Sequence, residues 1–94
     1  MTLINIQPEQ VRAARAMLGW SQDDLAARIG LSRRSLINYE HGIHSAKEET
    51  LKKMASIFRE AGIEFTRTAS GAIGLTLSEE ALLESRVHRR RPAP

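Results

Sequence analysis

The spacing of the glycines in the first half of this chain constrains its fold more than any other feature. Gly19, Gly30 and Gly42 cut the sequence after Pro8 into three segments, each too short to hold a helix in water unless one face is buried against the others. The first segment opens at Gln7-Pro8-Glu9, with proline at the tolerated first turn. Its Val11, Ala14 and Leu18 recur at three- and four-residue spacing. Ser21 is a good N-cap for the second, with Asp24 three residues on as a carboxylate capping box and Leu25, Ala26 and Ile29 as the apolar face. Ser32 caps the third, which runs through Leu36, Tyr39 and Glu40 to Gly42, a residue suited to a left-handed stop.

Beyond Gly42, Ser45 and Glu48 form an S-x-x-E pattern. It predicts a capping box opening a longer helix whose Leu51, Met54, Ala55, Ile57 and Phe58 face inward until Gly62. The period then changes. Ile63 and Phe65, and after them Ile73, Leu75 and Leu77, alternate with polar or small residues, which predicts two strands joined through Ala69-Ser70-Gly71. A lone hairpin is marginal in water, so these strands must pack on the helices or pair with another chain, the second option making a dimer. Ser78-Glu79-Glu80 starts a last short helix through Ala81, Leu82, Leu83 and Val87, acidic at its start and basic at its end as the helix dipole favours. The expected organisation is residues 1–62 as a helical unit, 63–77 as a hairpin able to dimerise, and 78–94 as a short helix with a basic tail.

The length of 94 residues supports one compact domain with a modest core. The 41% hydrophobic and 27% charged residues are ordinary for a soluble protein, and no apolar run approaches the ~20 residues needed to span a bilayer. The amino-terminal Met-Thr-Leu-Ile-Asn-Ile-Gln-Pro has no basic segment followed by an apolar one, so no secretory signal is expected. With no cysteines there is neither a disulfide framework nor a thiolate metal site. The cytoplasm fits these absences. The formal charge of +3 permits a polyanionic partner, although net charge speaks to association and not to fold.

Two short helices joined by a tight glycine turn form a rigid wedge whose second member can enter the DNA major groove. Ala26 is small where the two helices cross, Gly30 sits in the turn, and Leu36 and Tyr39 face the core. The opposite face of the third segment carries Ser32, Arg33, Arg34, Ser35 and Asn38. Arginine can donate two parallel hydrogen bonds to guanine and asparagine can pair with adenine, so this face suits direct base reading.

The runs Arg15-Ala16-Met17-Leu18-Gly19-Trp20-Ser21-Gln22, Leu25-Ala26, Ile29-Gly30 and Ser32 to Gly42 together resemble the XRE, or Cro-repressor-type, helix-turn-helix family. With its flanking helices the resemblance covers about the first two thirds of the chain. It implies a mainly α, lambda repressor-like domain of four to five helices, here followed by a short β-hairpin and a C-terminal helix. It also implies roles. Ser32, Arg33, Arg34 and Asn38 match base-contacting positions, and Gln22, Ser35, His41, His44 and Lys47 match phosphate-contacting ones, Gln22 also bracing the reading helix. Arg15 and Glu40 match a partly buried ion pair between the first and third helices. The run Ala61 to Phe65 is similar to that of many short bacterial regulators, which pass from the helical core into such a strand.

These residues also have plainer readings. Arg33 and Arg34 could be a solvated face, and Lys52, Lys53 and Arg59 are read as one. His41, His44 and Glu48 lack the supporting ligands of a structural zinc site, so no metal and no cofactor is expected. Trp20 is expected to pack over the helix crossing and not to stack on bases. Arg86 to Arg91 is either a phosphate-contacting extension or a solubilising end. No G-x-S-x-G elbow, phosphate-binding glycine loop or H-E-x-x-H helix is present, so no enzyme is expected. The reading is a sequence-specific transcriptional regulator, of the repressor kind, that binds inverted-repeat double-stranded DNA as a homodimer. The alternative is an antitoxin or adaptor that holds a partner protein through residues 63–94.

Overall fold

A computed structural model describes residues 6–90 of the chain. Four helices, a two-stranded antiparallel hairpin and a fifth helix follow in order: α1 (Pro8–Leu18), α2 (Gln22–Ile29), α3 (Arg33–Glu40), α4 (Glu48–Glu60), β1 (Ile63–Arg67), β2 (Ile73–Leu77) and α5 (Glu79–Arg90). The lambda repressor-like arrangement of helices followed by a hairpin and a C-terminal helix is therefore what the chain adopts. Among the described residues, no helix is long and apolar enough to cross a membrane.

The glycines set the helix ends as their positions imply. Gly19 and Gly30 follow the last residues of α1 and α2 with φ of 70° and 85°, in the left-handed region where a Cβ is disfavoured. Ser21 Oγ accepts from the Asp24 amide at 3.0 Å, and Asp24 Oδ2 accepts from the Ser21 amide at 2.9 Å, so each satisfies one otherwise free donor of α2. The backbone and then the side-chain hydrogen bond with Ser21 hold the Asp24 carboxyl below its ordinary pKa.

The fourth helix departs from expectation. Ser45 does not cap it: α4 begins at Glu48, with Lys47 at the N-cap position and no side-chain cap bond. The amides of Ile43 and His44 both donate to the Asn38 carbonyl, at 2.8 and 3.4 Å, so the turn closing α3 consumes the chain through His44 and displaces the next start. Glu48 and Glu49 then occupy the first turn, where negative charge is favoured by the helix dipole.

Val11, Ala14, Leu25, Leu36, Met54 and Phe58 are fully or almost fully buried and form the centre of the core, with Ala26, Ile29, Tyr39 and Ile63 around them. The hairpin packs on the helices of its own chain. Ile63 pairs with Leu77 and Phe65 with Leu75 across the ladder, and the Phe65 ring meets Phe58 edge-on at 5.5 Å. Phe58 in turn stacks on Trp20 at 5.6 Å with 22° between the planes, and the Arg28 guanidinium lies 4.1 Å from the centre of the Trp20 ring. Such ring contacts contribute about 0.5–1.5 kcal/mol each beyond burial. Trp20 thus ties α2 to α4 and reaches the hairpin through Phe58.

Gln10, almost completely buried on α1, adds a polar lock. Its Oε1 accepts from the Gln7 amide at 2.9 Å, and its Nε2 donates to the Gly74 carbonyl at 2.8 Å. One side chain therefore starts α1 and docks β2. The far end of the hairpin is looser: Ile73, opposite Arg67, is exposed, and Thr68 accepts from the Ala72 amide to close the loop.

Helix α5 begins where Ser78 Oγ accepts from the Ala81 amide. Its first turn lies over Gly62, whose φ is +96° and whose hypothetical Cβ would sit 2.5 Å from Ala81 Cβ and 2.7 Å from Ser78 Oγ. Gly71 has a similar φ of +93° with open space around it. Residue 91 and beyond, with the side chains of Val87, Arg89 and Arg90, lie outside the described residues, as does most of the basic run ending at Arg91.

These two glycines separate backbone strain from steric exclusion. Gly71→Ala should cost roughly 1–3 kcal/mol, the usual penalty for a side chain in a left-handed conformation. Gly62→Ala should cost more, because α5 must also move. Urea unfolding of both variants checks this, and equal midpoints would mean that α5 does not rest on Gly62.

Candidate nucleic-acid interface

Helix α3 is eight residues long and presents two unlike faces. Leu36, Tyr39 and Glu40 are buried, whereas Ser32 at the N-cap and Arg33, Arg34 and Ser35 in the first turn are exposed. Asn38 is half-buried, one turn further on and toward the edge of the face. The exposed end is the N-terminal one, where amides and partial positive charge favour anions and where a reading helix meets base edges.

Glu40 holds the inner face. Its side chain is fully buried and takes a bidentate fork from Arg15, Nε to Oε2 and Nη2 to Oε1, both at 2.7 Å. Gln22 Nε2 adds a longer bond to Oε1 at 3.3 Å. Arg15 Nη1 also donates to the Trp20 carbonyl at 3.2 Å, and Arg12 Nη1 donates to the Glu40 carbonyl. A buried carboxylate is costly unless paired and hydrogen-bonded; here α1 and α2 supply donors to one point on α3, and the α1–α2 turn accepts from the same Arg15. Tyr39 adds a second anchor, its hydroxyl donating to the Ile6 carbonyl at 3.2 Å.

The outer face is only lightly engaged within the chain. Ser32 Oγ accepts from the Ser35 amide at 3.1 Å and donates to Ser35 Oγ at 3.0 Å, so the first hydroxyl is partly committed to capping. Arg33 Nε lies 3.5 Å from Asp23 Oδ1, with both side chains largely exposed. His41, His44 and Lys47 are exposed along the turn after α3 and the start of α4, beside Ile43, which is 62% exposed. Glu48, which shares that region, pairs with Lys52 at 3.6 Å. Gln22 is half-buried and faces Glu40, at the junction between the inner brace and the outer surface.

Several residues of this region are invisible to sequence reasoning. Arg12, Arg28 and Asp23 look like ordinary helix-surface charges, because their partners Glu40, Trp20 and Arg33 are not their neighbours on one helix. Only the packing of α1 and α2 on α3, and of the Trp20 turn against α2, could have exposed them.

The sequence profile of the helix-turn-helix family matches residues 11–64, which runs from within α1 to the first residues of β1. Over 90 residues, or 93% of the chain, the sequence is 33% identical to a protein of Thermococcus kodakarensis provisionally named an HTH-type transcriptional regulatory protein. The chain spans 28% of the length of that relative.

Two measurements test the inner face. Glu40→Ala should destabilise by about 3–5 kcal/mol, because it leaves Arg15 without its charge partner. The double replacement Arg15→Met with Glu40→Leu should recover much of that loss; a double variant as unstable as the single one would deny the pair its bracing role. Burial, and after it the charges of Glu9 and Glu40, push the Tyr39 phenol up to about 12 from its ordinary 10. The neutral phenol is favoured in the folded state, so the stability it provides is complete below pH 10 and is lost as pH rises toward 12. Tyr39 is the only tyrosine, so tyrosinate absorbance reads it directly. A folded-state midpoint near 10 would contradict its burial.

Proposed function

The chain belongs to the XRE-type helix-turn-helix family of DNA-binding proteins, and from that premise we propose that it is a sequence-specific transcriptional regulator, of the repressor kind, that binds inverted-repeat DNA as a homodimer. The observation that carries this reading is the division of α3. Arg33, Arg34 and Ser35 lie exposed on its first turn while Leu36, Tyr39 and Glu40 fasten its other side. Ser32, Arg33, Arg34 and Asn38 then contact bases. Gln22, Ser35, His41, His44 and Lys47 contact phosphates along the flanks.

One helix reads only a few base pairs, so useful discrimination needs a second copy, with half-sites about 10 base pairs apart. The hairpin is the proposed dimerisation element, because among the described residues its β1 and β2 form a two-stranded sheet with no further strand on either outer edge. A second reading, in which residues 63–94 hold a partner protein, is favoured by the exposed Leu83 and Ile73. Co-purification of a stable hetero-complex through that segment would support it.

Selection of bound DNA from a random pool tests the main reading. The expected outcome is a palindromic site, with binding that falls steeply as salt rises. Arg33→Ala and Asn38→Ala should each relax preference at particular bases, at a cost of roughly 1–3 kcal/mol for a lost bidentate contact. Gln22→Ala should weaken all sequences alike. Unchanged base preference in both the Arg33 and Asn38 variants would refute the assignment of the reading face.

A further inference from the structure

We propose that Asp23 is a specificity-determining residue: from the first turn of α2, its carboxylate orients the Arg33 guanidinium for guanine and reduces the attraction of the interface for DNA in general. The proposal rests on the reading of α3 given above. Asp23 Oδ1 lies 3.5 Å from Arg33 Nε. That contact uses the nitrogen nearest the chain and leaves the two terminal nitrogens of the guanidinium to form the parallel fork that guanine accepts at O6 and N7.

Neither folding nor helix capping accounts for the pair. Arg33 and Asp23 are 65% and 69% exposed, and an ion pair so open to water contributes little to stability. Asp23 lies in the first turn of α2, where the helix dipole favours a carboxylate, but Asp24 shares that place and also closes the capping box with Ser21, so the start of α2 does not depend on Asp23. A carboxylate beside Gln22, at a surface that would face phosphates, repels the partner. Its compensating effect falls on Arg33. A long arginine free to swing can settle on any nearby phosphate, which raises affinity without regard to sequence. Held by Nε, the same side chain loses less freedom on meeting guanine and more on meeting anything else.

The test compares Asp23→Ala, Asp23→Asn and Arg33→Ala, and the double variant Asp23→Ala with Arg33→Ala, at one fixed salt concentration. Each is titrated with the selected site, with that site changed at the base assigned to Arg33, and with random DNA. Asp23→Ala should bind random DNA roughly threefold to fivefold more tightly, as expected for removing one surface charge interaction. It should lower discrimination at the Arg33 base by roughly fivefold, within the range of a bidentate contact, and leave the base assigned to Asn38 unaffected. Asp23→Asn keeps an acceptor for Nε without the charge, so it should gain general affinity while retaining more of the discrimination. In the Arg33→Ala background, Asp23→Ala should alter no base preference. If Asp23→Ala shifts affinity equally on all three DNAs with discrimination intact, Asp23 acts by charge alone and the proposal is wrong. A site indifferent to Arg33→Ala would sink the reading of α3, and this inference with it.

Discussion

A single buried carboxylate governs the arrangement of the first three helices. Glu40 is wholly enclosed, and an unpaired charge there would be strongly destabilising. Arg15 from α1 and Gln22 from α2 converge on its side chain, while Arg12 holds its backbone carbonyl. Because a guanidinium fork meets a carboxylate in one plane only, the fork fixes the rotation of α3 about its own axis as well as its position. That rotation decides which residues of α3 face water. Shape-filling by Leu36 alone would leave it far less determined, since apolar contacts are not directional.

The remainder of the chain is fastened by a different kind of contact. Arg28, Trp20, Phe58 and Phe65 form a continuous chain of ring contacts from α2 through α4 to β1, and Gln10 ties α1 to the backbone of β2. The hairpin, marginal by itself, thereby becomes part of the helical core, with Ile63 almost fully buried. Gly62 then admits the first turn of α5 at a distance no other residue would permit. Polar joints in one half and aromatic ones in the other meet at Trp20, whose carbonyl receives Arg15 and whose ring receives Phe58.

Much of the fold was legible because its determinants are local. A serine followed by a carboxylate, or a glycine after an apolar periodic run, acts within a few residues, and the ends of α1, α2 and α3 follow from such signals. The change from a three-to-four-residue period to alternation at Ile63 likewise marks the hairpin. Ser45 shows where locality fails: its S-x-x-E pattern is genuine, but the turn closing α3 extends through His44 and leaves the helix to begin at Glu48. Gln10, Arg12 and Asp23 were not legible, since their partners are set by how helices pack and not by spacing along one helix. The exposure of Arg33 and Arg34 follows from the inward placement of Leu36, Tyr39 and Glu40 on the same short helix.

The asymmetry of α3 also has a consequence for how such a domain can diversify. Positions 33, 34 and 35 are exposed, whereas 36, 39 and 40 are enclosed. Substitutions among the first set leave the hydrophobic packing and the Glu40 network intact, so the outer surface is free to drift or to be transplanted from a relative. Asn38, half-enclosed at the margin, is the exception and tolerates fewer replacements. Under the proposed reading, the scaffold separates inheritance of shape from inheritance of preference within one eight-residue element.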